Sequence, residues 1–168
     1  MTSQPPFEGM IPNDVRAVLD GWREGDVHYY PLVVQFEDTD AGGIVYHANY
    51  LSFAERGRSG WLRVIGVSQG KNLYEDKVGF VVRRATIDYV RPAKLGDEVI
   101  IETRLKELGK ARLVASQIVR APQKADDKDK VGHIFANVEV EIVMVNATGR
   151  PIRFSSELVA AMTDKARV

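Results

Sequence analysis

Cysteine is absent from the 168 residues, and this removes disulfides, thiol nucleophiles and thiolate metal sites together. No apolar run approaches the ~20 residues that would span a bilayer. The opening "MTSQPPFEGMIP" lacks the basic and apolar regions of a secretory signal, so a cytoplasmic location is expected. An excess of charge is missing too: 23 basic groups balance 23 acidic ones, which points away from nucleic acid and anionic membrane as partners. The strong nucleophile and nucleotide motifs are also lacking. There is no G-x-S-x-G, since "GRSGW" around Ser59 has the wrong spacing, and there is no H-E-x-x-H, P-loop or Rossmann fingerprint. His28 and His133 sit in separate strand-like segments, so neither a metal site nor a cofactor is expected.

What is present suits one domain, because two independent cores would be small at this length. Residues 1–26, punctuated by Pro and Gly with a helical turn or two in "NDVRAVLDGWRE", read as an arm, and 27–168 as the domain. Val27 to Phe36 is rich in β-branched and aromatic residues and predicts a strand that ends at the "DTDAGG" loop. From His47 to near Gly66, Tyr50, Ala54, Gly57, Trp61 and Ile65 recur at helical spacing, with Leu51, Phe53 and Leu62 widening the stripe. Gly57 and Gly60 lie inside this helix, where each costs about 1 kcal/mol relative to alanine, so a close neighbour should compensate. "VSQGKNLYEDK" reads as a loop with a short second helix.

After Val78 the period falls to two through four segments, "GFVVRRATIDYVRP", "DEVIIETRLKELG", "KARLVASQIVRA" and "GHIFANVEVEIVMVNA", the middle two joined as a hairpin at Gly109. "PQKADDKDKVG" reads as a solvated loop, and Ser155 or Ser156 can cap a last helix. One helix cannot cover both faces of five antiparallel strands. The pattern therefore predicts an α+β domain, a five-stranded antiparallel sheet wrapped round a long central helix.

The stretch "FEDTDAGGIVYHANYLSFAERGR" does not look like packing. Asp38 and Asp40 are two apart, so in an extended segment their carboxylates share a face, while Gly42 and Gly43 let the chain turn into the helix. A helix start presents unpaired N–H groups that can stabilise a developing oxyanion. A carboxylate beside such a site is a hydrolytic constellation that needs neither metal nor thiol. The competing reading is that each aspartate is a turn former or cap; for Asp38 we keep that reading. His47 has its own alternative as a packed helix-start histidine, and Glu55 with Arg58, three apart, reads as a local ion pair.

These residues, with "GFVVRRATIDYVRPAKLGD", resemble the hotdog-fold acyl-CoA thioesterases of the 4-hydroxybenzoyl-CoA thioesterase type, and within them the Tol-Pal-associated branch. The resemblance covers roughly Val27 to Val145, and its specific core is D-x-D-x-x-G-x-V-Y-H-x-x-Y. It implies the hotdog fold, an acyl-CoA substrate, and a homodimer or homotetramer with interfacial active sites. It implies Asp40 as the catalytic aspartate, acting as general base or nucleophile, the backbone N–H near His47 as the group that polarises the thioester carbonyl, and His47 in a supporting role. Gly43 and Tyr46 belong to the same motif and are expected to border the substrate. Arg83, Arg84, Lys110 and Arg112, near strand ends, are candidates for the coenzyme's phosphates. Two rival readings share the fold: a protein that binds acyl-CoA or acyl-carrier protein without hydrolysis or acts as a partner in envelope or lipid-synthesis assemblies, and a dehydratase, against which the D-x-D loop argues. The arm and the loop at Pro122 to Val131 are longer than the resemblance leads one to expect.

Overall fold

The computed structural model describes residues 19–122 and 132–164, so most of the expected arm and the charged loop lie outside the described residues. Six strands form one antiparallel sheet: β1 (Trp22–Glu24), β2 (Val27–Val33), β3 (Val78–Tyr89), β4 (Glu98–Leu108), β5 (Arg112–Arg120) and β6 (Ile134–Asn146), in the order β1-β2-β4-β5-β6-β3. The helices are α1 (Asn49–Val64), α2 (Gln69–Tyr74) and α3 (Ser156–Thr163). This is the expected hotdog arrangement with six strands instead of five. The extra strand, β1, comes from the tail of the segment read as an arm, where a turn at Gly25, with φ of 61°, folds Trp22–Glu24 back onto β2. The first expected strand is also shorter, because Phe36–Asp38 form a 3-10 turn.

The period-two pattern explains the sheet's two faces. Val99, Ile101 and Thr103 on β4, Leu113, Ala115 and Val119 on β5, and Ala136, Val138, Val140 and Ile142 on β6 are all buried in the core with α1. The opposite face carries ion pairs, including Lys106 to Glu139 at 2.5 Å and Arg104 to Glu102 at 2.8 Å. Alternation therefore separates core from charge along each strand.

α1 buries Tyr50, Phe53, Ala54, Gly57, Arg58, Gly60, Trp61 and Leu62. The interior glycines are accounted for by contact. A methyl on Gly57 would meet Ile101 Cγ2 at 2.7 Å, and one on Gly60 would meet the Asp20 carbonyl oxygen at 2.6 Å. Helix and sheet approach this closely only without those side chains. α1 begins at Asn49, two residues later than the sequence pattern places it, because His47 and Ala48 form a turn before it. At the other end of the chain, the Ser155 side chain accepts from Leu158 N–H at 3.2 Å and caps α3. No described helix is long and apolar enough to cross a membrane.

Candidate active site

The loop between β2 and α1 folds back on itself as a narrow ladder. Asp40 N–H donates to the Ile44 carbonyl at 3.0 Å, Thr39 bridges Val45, and Tyr46 N–H donates to the Asp38 carbonyl at 2.8 Å. Gly43, with φ of 73°, makes the reversal, and its N–H donates to the Asp40 carbonyl at 3.0 Å. The Val45 N–H donates to the Ala93 carbonyl at 2.8 Å, which ties the ladder to the segment after β3. The glycine pair thus sets exposed Asp40 near the tip of a ladder tied to the segment that follows β3.

The two aspartates part company here. Asp38 is 4% exposed, ends the 3-10 turn, and accepts from Gln35 N–H at 2.8 Å, so the capping role expected for it holds. Because it is not in an extended segment, it does not share a face with Asp40. Asp40 is exposed, its Oδ1 accepts from Gly42 N–H at 2.8 Å, and its Oδ2 has no donor among the described residues. One oxygen is tethered and the other is open.

At the start of α1 the N–H groups of His47 and Ala48 meet no acceptor among the described residues, and no side chain caps the helix. Asn49 N–H donates to the Tyr46 carbonyl at 2.8 Å, and Asn49 Nδ2 donates to the Asp38 carbonyl at 2.9 Å, which pins the helix to the loop. Tyr46 and His47 are exposed and their rings lie 4.4 Å apart. An open cavity of about 330 Å³ adjoins this end of the helix, lined by Ile44, Val45, His47, Tyr50, Tyr89, Val90, Arg91 and Pro92. Its wall is largely apolar, with one histidine and one arginine at it. Burial pushes the Tyr50 hydroxyl's pKa up, so it stays neutral there.

Among the sequence candidates, Asp40, Gly43, Tyr46 and His47 come together in this loop, and the cations do not join them in one protomer. Arg83, at a bulge of β3, and Arg112 both pair with Glu141 on the sheet face opposite α1. Arg112 stands opposite Val143 and Tyr89 opposite Ala136 on β6, a separation of seven residues or roughly 24 Å along the strand. Arg84 is exposed beside the same bulge, and Lys110 is exposed in the β4–β5 turn. The cation that lines the cavity is Arg91, which sequence reasoning passed over. Its place just before Pro92, at the stop signal of β3, was the available clue. Tyr89 was missed likewise, hidden as one more alternating strand residue. Glu55 and Arg58 form the expected ion pair, and Arg58 also donates to Gln117 Oε1 at 2.7 Å within the core. No group of three or more metal-ligating side chains occurs among the described residues.

The thioesterase-like superfamily model matches residues 34–162. The acyl-CoA thioesterase YbgC of Helicobacter pylori strain J99 is 38% identical over 135 residues, covering 77% of this chain and 97% of that protein. The acyl-CoA thioesterase YbgC of Haemophilus influenzae is 44% identical over 88 residues, 52% of this chain; the match spans 65% of that relative's length. Among solved structures, a probable thioesterase from Bartonella henselae is 34% identical, with a TM-score of 0.65 over 77% of this chain and 99% of its own. A 4-hydroxybenzoyl CoA thioesterase complexed with 4-hydroxybenzoyl CoA has a TM-score of 0.74 at 17% identity, covering 82% and 99%, and shares the fold.

Proposed function

Because the chain belongs to the thioesterase-like superfamily, we propose that it hydrolyses acyl-CoA thioesters to the free acid and coenzyme A, with Asp40 as the catalytic carboxylate. The observation that carries the reading is one loop that carries an open carboxylate oxygen on Asp40 and, seven residues on, two N–H groups with no acceptor among the described residues, where His47 lines an apolar cavity. The names of the Helicobacter and Haemophilus relatives support the substrate class.

In this reading the thioester oxygen sits at the N–H groups of His47 and Ala48, where developing negative charge is stabilised. Asp40 Oδ2 either takes a proton from water that attacks the carbonyl, giving the free acid directly, or attacks the carbonyl itself to give a mixed anhydride that water then hydrolyses; in both cases the thiolate of coenzyme A leaves and takes up a proton. Gly43 and Tyr46 shape the mouth, and His47 positions the substrate. Arg91 is the cation best placed for a coenzyme phosphate; Arg84 and Lys110, exposed and without a carboxylate partner among the described residues, are candidates only where a second subunit brings them near. A cytoplasmic location fits, since coenzyme A thioesters are intracellular metabolites.

The test is thiol release from short, long and aromatic acyl-CoAs by wild type and Asp40→Asn. With no cysteine in the chain, a thiol reagent reads only released coenzyme. The variant is expected to lose about 10²–10⁴ in rate while keeping its fold. Equal turnover by both proteins would remove Asp40 from the chemistry. Tight binding without turnover, of acyl-CoA or of acyl-carrier protein, would replace the enzyme by a carrier.

A further inference from the structure

We propose that Tyr89 is a positioning residue for the thioester chemistry inferred above, acting through the His47–Ala48 peptide; the inference rests on that reading of the site. Tyr89 ends β3 and stands opposite buried Ala136, on the sheet face that carries α1. Its hydroxyl donates to the His47 carbonyl oxygen at 2.9 Å. Its ring meets the His47 imidazole edge-on at 6.4 Å and the Tyr50 ring at 5.6 Å. Tyr50 is itself fixed, because it is buried and its hydroxyl accepts from Ala93 N–H at 2.9 Å. A contact chain from Ala93 through Tyr50 and Tyr89 therefore reaches the turn that opens α1.

The chemical consequence follows from the peptide plane. The His47–Ala48 bond is trans, so the carbonyl held by Tyr89 and the Ala48 N–H point to opposite sides of one rigid unit. Holding the carbonyl aims the N–H. Donation to a carbonyl also polarises the amide and strengthens its N–H as a donor. An N–H aimed in advance at the oxygen that becomes negative lowers the barrier more than it tightens ground-state binding. Tyr89 acts through the peptide and needs no contact with the reacting atoms. A packing role would reside in the ring alone, which phenylalanine keeps.

Tyr89→Phe in the full chain separates the two roles. Loss of one neutral hydrogen bond is expected to lower kcat by about three- to ten-fold at a temperature where the variant is fully folded, with KM unchanged and the thermal midpoint lower by no more than about a few degrees. A second readout is the infrared carbonyl stretch of benzoyl-CoA bound to Asp40→Asn, which the aimed N–H should lower and which Tyr89→Phe should partly restore. An unchanged kcat with an unchanged stretch overturns the proposal, as does a fall in kcat that merely tracks a lower thermal midpoint. Where wild type turns over no acyl-CoA, the hydrolysis reading fails by itself, and the stretch of the bound thioester still decides for or against Tyr89. Absence of any bound thioester overturns both.

Discussion

At the scale of single residues, burial decides what an ionisable side chain does. His28 is 1% exposed on β2, and its Nε2 lies 2.7 Å from the Asp20 carbonyl, which can only accept, so Nε2 carries the proton. Nδ1 is then bare and buried without a partner among the described residues, and protonating it would place a charge in the core. Burial accordingly lowers the His28 pKa from 6.5 to about 4, while the Asp20 hydrogen bond opposes the shift. The fold favours the neutral ring, so this stability is complete above the ordinary value of 6.5 and drains away as pH falls from there towards about 4. We expect denaturant titrations to show a loss of about 3 kcal/mol across that window, and His28→Gln to flatten it. A pH profile identical in wild type and variant would assign the loss to other groups. Asp38 and Asp40 make the same point without titration, since the buried one closes a turn and the exposed one keeps an oxygen free.

At the scale of elements, α1 shows how a poor local helix becomes a good tertiary one. Its two interior glycines oppose helix formation by about 1 kcal/mol each, and both lie where the sheet side leaves no room for a methyl. Gly60→Ala should therefore destabilise despite its better propensity, by about 1–3 kcal/mol in urea unfolding, because the Asp20 carbonyl is backbone and cannot swing aside. A gain in stability would mean that the contact between the Asp20 backbone and α1 yields easily. The helical stripe, the alternating strands and the Gly109 hairpin were all legible, because burial on one face imposes a period on the chain. The start of α1 was misread by two residues, since His47 carries no signal that separates a turn from a first helical position. β1 was missed because three residues are too few to show alternation.

At the scale of the whole molecule, the sheet's two edges differ. β1 is three residues long, whereas β3 is twelve long, pairs only with β6 among the described strands, and leaves Val81 and Val82 at 49% and 47% exposure. A long apolar edge of this kind is normally covered. The expected homodimer, or a homotetramer built from it, would cover it by pairing β3 with a second β3 and would wall the open cavity near Tyr89. Sedimentation equilibrium should then show a dimer or larger assembly, and Val81→Glu should release protomers whose hydrolysis rate falls in step. Monomeric wild type with full activity would reject an interfacial site.

The amino-acid order by itself determined the class of fold, the sheet-facing stripe of the helix and the loop that carries Asp40, because each depends on residues close together in the chain. It also carried the family likeness, whose most specific part is the run from Phe36 to Arg58 and which extends through "GFVVRRATIDYVRPAKLGD". Only the tertiary structure decided that β3 lies beside β6, that Arg83 and Arg112 are drawn to Glu141 away from the cavity, and that Tyr89 and Arg91 reach the helix start. Those placements join residues tens of positions apart, and strand periodicity says which face a side chain takes but not which neighbour it meets.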